Sequence, residues 1–189
     1  MKITQLDDAP LVRGLEHRGG TFHSRTMAEG VPGTPGNFKF SLSWLGTDYS
    51  GPRHRHNFDQ VRVALNGAIS YGIGRVIETG DIGYFPEGLH YGPTEQDMMP
   101  GKAQIVLQAG GASGLGYLSS FQTKRAQEEL AQVGTFKDGL FHWPSQHPVN
   151  PGKVQDAYEA LWEHVHQREI EYPAPRYADQ VIMSPAAFV

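Results

Sequence analysis

Between Pro52 and Gly67 the chain reads Pro-Arg-His-Arg-His-Asn-Phe-Asp-Gln-Val-Arg-Val-Ala-Leu-Asn-Gly. In an extended chain, residues i and i+2 project to one face with about 7 Å between their Cα atoms, so His54 and His56 can converge on a single ion. Carried on without a bulge, the alternation puts His54, His56, Phe58, Gln60 and Arg62 on one face and Arg53, Arg55 and Asp59 on the other. The first face then holds two imidazoles, an amide and a guanidinium. A buried guanidinium needs a partner, which is either an anionic substrate group or a structural carboxylate. A bulge in the strand would bring Asp59 inward as an acidic ligand instead. The other closely spaced pair, His164 and His166, falls on a helical pattern, where residues i and i+2 point about 200° apart and cannot share an ion. Those two belong to solvent or to the helix C-terminal dipole.

The 189 residues include 16 Lys+Arg against 20 Asp+Glu, a formal net charge of −4, nine His and no Cys. Without cysteine there is no disulfide, thiolate metal site, iron–sulfur cluster or Cys nucleophile, and a metal must use imidazole, carboxylate, amide or water. A slightly acidic balance with no Lys/Arg-rich run argues against nucleic acid and against an anionic membrane surface as partners. No apolar run follows Lys2 and no stretch approaches bilayer length, so a cytoplasmic protein is expected. No Ser-His-Asp spacing or nucleophile elbow is visible. Tyr71, Tyr84 and Tyr91 are either pocket donors or core, Glu87 is a candidate rim acid, and Trp44 and Trp143 are core candidates. His23, His142 and His147 have no partner spacing and are read as structural or exposed.

The elements that must position these groups are short strands. From Asn37 to Leu45, Phe38, Phe40, Leu42 and Trp44 alternate with Lys39, Ser41 and Ser43, the period of a half-buried antiparallel strand. Thr21–Met27, Gln60–Leu65, Ile69–Ile73, Arg75–Glu78, Ile82–Phe85 and Ala103–Ala109 are strand-like too, bounded by turn signals such as Asn66-Gly67 and Thr79-Gly80-Asp81. With 23 Gly and 13 Pro, the chain is rich in turns, which excludes a helix bundle and suggests a sandwich or barrel. Thr123–Val133 reads as a short helix ending at Gly134, followed by a hairpin at Asp138-Gly139. A second helix is expected with Asn150 as cap, Pro151 at its first position and an apolar stripe of Val154, Ala157, Tyr158, Leu161, Trp162 and Val165. Gly110–Gly116 lacks the G-K-[ST] of a phosphate loop and reads as a hairpin loop. Gln180–Met183 reads as a strand added to a sheet edge, in this subunit or another, ahead of an apolar Phe188-Val189 end.

Two ordered motifs resemble the cupin family. The first of that family has His-x-His, three or four residues, an acidic ligand, six residues and Gly, matched by His54, His56, Gln60 and Gly67 with Gln at the acidic position. The second has Gly, five residues, Pro-x-Gly and then His, matched by Gly80, Pro86, Gly88 and His90. His90 follows Gly88 by two residues where the family has three, and Asp48 stands where the first motif has a leading Gly. The resemblance covers roughly residues 37–110. It implies a mainly β protein with a double-stranded β-helix (jelly-roll) barrel, set over 37–122; the N-terminal strands and arm expected over 1–36 and the extension with two helices and a terminal strand expected over 123–189 lie outside the resemblance. It also implies His54, His56, Gln60 and His90 as ligands of a divalent ion (Fe, Mn, Ni or Zn), with Gln60 making the shell neutral and weakening a hard cation. On that reading Arg62 neutralises a substrate carboxylate or enolate, and Gln60 ligates the ion or holds a bound water. The expected activity is oxygenase-like chemistry on a small anionic organic substrate. The alternatives are a non-catalytic small-ligand cupin and a metal-free isomerase or epimerase. A homodimer is expected, because open jelly-roll edges need covering.

Overall fold

The computed structural model describes residues 5–13, 18–34, 36–95, 99–111 and 116–185. Eight strands come first: β1 (Leu11–Arg13), β2 (Phe22–Glu29), β3 (Phe38–Leu45), β4 (Asp59–Asn66), β5 (Ile69–Gly72), β6 (Arg75–Ile77), β7 (Ile82–Phe85) and β8 (Lys102–Ala109). They are followed by α1 (Ser120–Leu130), β9 (Thr135–Lys137), β10 (Leu140–His142), β11 (Val154–Asp156), α2 (Ala157–His166) and β12 (Val181–Met183). Each of the seven runs read as strands in the sequence is a strand, with boundaries shifted by no more than two residues.

Seven strands form one antiparallel sheet in the order β1-β2-β3-β8-β4-β7-β12. β2 pairs with β3 along its length, so the N-terminal strands belong to the barrel sheet, and β12 closes the other edge by pairing with β7 of the same chain. The facing layer is smaller and irregular. It consists of the β5–β6 hairpin, the bridges His54–Tyr91, Gly51–Thr94 and Gly19–Ser50, and a hydrogen bond from Gly92 N–H to the Tyr71 carbonyl. Leu45, Ala64 and Phe85 of the large sheet pack against Ile69, Tyr71, Ile77 and Tyr91 of the small layer, which fixes the two as a barrel.

Register decides what lies inside. Ser24, Ser43 and Gln104 stand abreast on the inner face, then Thr26, Ser41, Val106 and Arg62, then Lys39, Gln108 and Gln60. They line a cavity of about 790 Å³. The other face carries Leu42, Ile105, Val63, Ile82 and Met183 in one row and Phe40, Leu107, Val61, Tyr84 and Val181 in the next, all half-buried. The apolar side of β3 therefore turns away from the cavity, and Trp44, a core candidate in the sequence, sits half-buried on that outer face. Period-two alternation defines two faces, but the small layer determines which of them is enclosed.

The extension supplies the larger of the two buried apolar clusters among the described residues. Leu118, Ala126 and Leu130 pack with Phe141, Leu161 and Trp162 and reach Phe58 at the cavity. Two helix starts differ from the sequence reading. α1 begins at Ser120, three residues earlier than expected, because Ser119 and Gln122 form a reciprocal capping box. α2 is capped by Asp156, which accepts from the N–H groups of Tyr158 and Glu159. Asn150 and Pro151 lie in the turn before it, and Val154 belongs to β11, where pairing with β10 overrides the helical stripe. Asp138 and Gly139, both at positive φ, make the β9–β10 turn as expected. Parts of 110–116 and the Phe188-Val189 end lie outside the described residues.

Candidate ligand-binding site

The alternation read from the sequence holds across the site: His54, His56, Phe58, Gln60 and Arg62 all line the cavity. His54 is anchored in the small layer by its two backbone bonds with Tyr91, whereas Gln60 and Arg62 lie on β4, so the site spans both layers. The His54 and His56 ring centres are 5.0 Å apart. His56 stacks on Phe58 at 4.4 Å and meets the Tyr158 ring edge-on at 5.2 Å.

A continuous hydrogen-bonded chain joins these groups. Arg62 donates from Nε to Gln60 Oε1 (2.6 Å) and from Nη2 to the Tyr91 hydroxyl (2.7 Å). That hydroxyl lies 3.2 Å from His56 Nδ1 and 3.5 Å from Gln60 Oε1. Arg18 Nη2 lies 3.4 Å from His56 Nε2. A guanidinium only donates, so Nε2 accepts and a neutral ring carries its proton on Nδ1, facing Tyr91. The Tyr91 proton is then directed at Gln60 Oε1. Burial pushes the Tyr91 phenol up to about 12 despite the pull of Arg62 and Arg18, so it stays a donor at neutral pH. His54 Nδ1 donates to the Pro52 carbonyl at 2.7 Å, which places the lone pair of the neutral ring on Nε2.

The two guanidiniums differ in compensation. Arg18 is nearly buried and pairs with Asp156 at 3.4 Å. Among the described residues Arg62 has only neutral partners, the amide and phenol oxygens, with the Phe85 and Tyr91 rings at 4.7 and 4.9 Å from its Cζ. The structural carboxylate that a buried Arg62 would call for is absent among the described residues. An uncompensated cation facing a cavity makes a positive site.

The remaining candidates separate. His90 is exposed and stays off the cavity lining, and its backbone carbonyl accepts from Gln180 Nε2 at 3.0 Å. This corrects the ligand expectation: Tyr91, three residues beyond Gly88, takes the inward position. Gly88 has φ +78°, and a Cβ there would lie 2.3 Å from the Pro173 carbonyl oxygen, so the tail closes over the motif turn only because the residue is glycine. Asp59 faces outward and accepts from Tyr84 (2.9 Å), the Glu87 N–H (3.0 Å) and Arg176, so it does not replace Gln60. Glu87 is buried rather than at a rim. Tyr71 is core, and Tyr84 belongs to the outer face. His164 bonds Glu129 of α1 and His166 stacks on Trp162, both away from the cavity.

Sequence reading misses Arg18, Asp156 and Tyr158 as site residues, and it leaves Tyr91 open between pocket donor and core, of which the cavity lining takes the first. Tyr91 carried a signal, since the motif's own spacing from Gly88 points to it. Arg18 and Asp156 are 138 residues apart, and no local pattern connects them.

As placed, the donors do not fit a resident divalent cation. Among the described residues, no three His, Asp or Glu side chains converge. Gln60 Oε1 and His56 Nε2, which an ion would need, each face a guanidinium. Arg18 is offset by Asp156, but among the described residues no carboxylate offsets Arg62, so the electrostatics beside Gln60 favour an anion.

No protein-family model and no curated protein matches the chain. Solved structures similar to it include an RmlC-like cupin protein from Ralstonia eutropha JMP134, with 12% identity, TM-score 0.46 and coverage of 88% of this chain and 87% of that one. Another is the polyketide cyclase RemF from Streptomyces resistomycificus, with 19% identity, TM-score 0.44 and coverage of 58% and 78%. A third is a predicted oxalate decarboxylase from Thermotoga maritima, with 12% identity, TM-score 0.44 and coverage of 58% and 97%. The chain is an antiparallel two-layer β barrel, with the His-x-His segment entering β4 and the Pro-x-Gly turn leaving β7. In this chain the C-terminal extension packs against one side of the barrel cavity.

Proposed function

We propose that this cupin barrel binds a small organic anion, with Arg62 as the anchoring cation, and acts on it by proton transfer. The observation that carries this reading is Arg62 itself, a cavity-lining guanidinium whose partners are all neutral. Arg62 and Tyr91 offer donors to a carboxylate or enolate oxygen, and the neutral His54 ring, its Nδ1 proton given to the Pro52 carbonyl, carries its lone pair on Nε2, the atom that would exchange a proton with the ligand. This is the metal-free isomerase type of chemistry rather than the oxygenase type. Calorimetric titration with small carboxylates tests it: Arg62→Gln should lose about tenfold or more in affinity, the scale of a charge-assisted hydrogen bond. Unchanged affinity would contradict it. Deuterium uptake from solvent next to the ligand carboxylate separates catalysis from binding alone.

One observation favours a second reading. The Nδ1-to-carbonyl bond of His54 is the support that metal-bound imidazoles commonly use. A divalent ion on His54, His56 and Gln60 would require Arg18 and Arg62 to leave their acceptors. Titration with Fe(II), Mn(II), Ni(II) and Zn(II) checks this, and stoichiometric uptake abolished in His54→Ala would favour it.

The two apolar rows on the outer sheet face are the surface a homodimer would cover. A dimeric mass in sedimentation that becomes monomeric in Leu42→Lys supports that assembly. A monomeric wild type rejects it.

A further inference from the structure

The cavity wall carries a second cation that makes no salt bridge among the described residues. Lys39, in β3, lines the cavity with its side chain half-buried, and among the described residues it makes no salt bridge or side-chain hydrogen bond. Its cross-strand neighbours are Gln108 on β8 and Glu29 at the exposed end of β2. Burial lowers the ammonium pKa from its ordinary range, and Glu29 restores it only in part. Lys39, Gln108 and Gln60 stand in one cross-strand row, with Arg62 two residues further along β4. At ordinary strand spacings, the Lys39 and Arg62 Cα atoms are about 12 Å apart, with both side chains entering one cavity. Ser41 and Gln108 lie on the wall between them.

We propose that Lys39 is a second anion subsite, so that the ligand is an organic dianion with one charged group at Arg62 and the other at Lys39. The inference rests on the reading of Arg62 given above and adds the ligand's class. A half-desolvated ammonium that makes no salt bridge, with Glu29 acting on it only from the exposed strand end, has lost hydration that a ligand anion can replace, whereas a monoanion held at Arg62 leaves it unchanged. Hydroxyl and amide groups on the wall suit a polar body between the two charges.

Two matched pairs of acids test the assignment: gluconate against glucarate, and hexanoate against adipate, each pair differing in one carboxylate. Calorimetry of the full chain should show the dianion of at least one pair binding about tenfold more tightly, the scale of one added charge-assisted contact. In Lys39→Gln that preference should vanish while monoanion affinity is kept. In Lys39→Arg it should return, and in Arg62→Gln both members should weaken. Unfolding transitions of all variants identify any that fail to fold, and Lys39→Met then replaces Lys39→Gln. A dianion preference that survives in Lys39→Gln, or no preference in wild type, overturns the Lys39 subsite and leaves Arg62 as a single anchor. Failure of all four acids to bind wild type overturns the anion reading and the subsite together.

Discussion

The inside of the barrel and the inside of the extension are built from different material. The barrel wall presents serines, glutamines, Lys39 and Arg62 to an open cavity, whereas the extension buries Leu130, Phe141, Leu161 and Trp162 completely. A hollow polar interior contributes little apolar burial to folding, so stability is concentrated in the extension and along the Leu45–Ile77–Phe85 end of the barrel. The two regions meet at His56, with its ring between barrel Phe58 and extension Tyr158, and at the Arg18–Asp156 pair. The extension is therefore a wall of the site as well as a core. A barrel whose wall need not serve as a core is free to use it for recognition.

The contrast can be broken from either side. Trp162→Ala, in the packed extension, should cost about 3–5 kcal/mol in chemical denaturation, because a fully buried indole leaves a cavity. Asp156→Ala removes the partner of nearly buried Arg18 and the α2 cap together, with an expected loss of about 3 kcal/mol, and Asp156→Asn should recover about 1 kcal/mol of it through capping. A smaller effect is expected from Asp59. Burial raises its pKa, but hydrogen bonds from Arg176, the Glu87 N–H and Tyr84 outweigh that and hold it below the usual carboxylate range. Its contribution is thus fully present above the unfolded-state pKa of about 3.9 and is lost as pH falls through the lower folded value. Unfolding midpoints from pH 6 to pH 2.5 should drop less in Asp59→Asn than in wild type. The smallest effect should come from the barrel wall. Gln104 is buried with its amide oxygen unpartnered, so Gln104→Leu should change stability by less than about 1 kcal/mol. A loss of 3 kcal/mol there would show that the wall is a core after all.

Much of this was legible before any coordinates. Strand positions follow from alternation and Gly/Pro/Asn turns, and period two gives the five-residue face from His54 to Arg62, although β4 begins only at Asp59 and Asn57 and Phe58 lie in a bend between the two layers. What alternation cannot say is which face is enclosed: β3 reads as an apolar strand, yet its polar side lines the cavity. Val154 shows the complementary limit, since it fits the α2 stripe but is taken by pairing with β10. The motif resemblance implies His90 as a ligand, while the motif's own three-residue spacing from Gly88 points to Tyr91. Arg18 and Asp156 were beyond reach, because a pair closed across most of the chain leaves no periodic trace.

The central claim is that the barrel holds an anion at Arg62. Anomalous diffraction from crystals soaked in bromide tests it most directly, since a halide reports positive potential without assuming a ligand. The account predicts a bromide peak within contact distance of the Arg62 guanidinium, absent from Arg62→Gln crystals treated alike. An empty cavity at Arg62, together with a divalent metal bound between His54 and His56 in the same crystals, would contradict it.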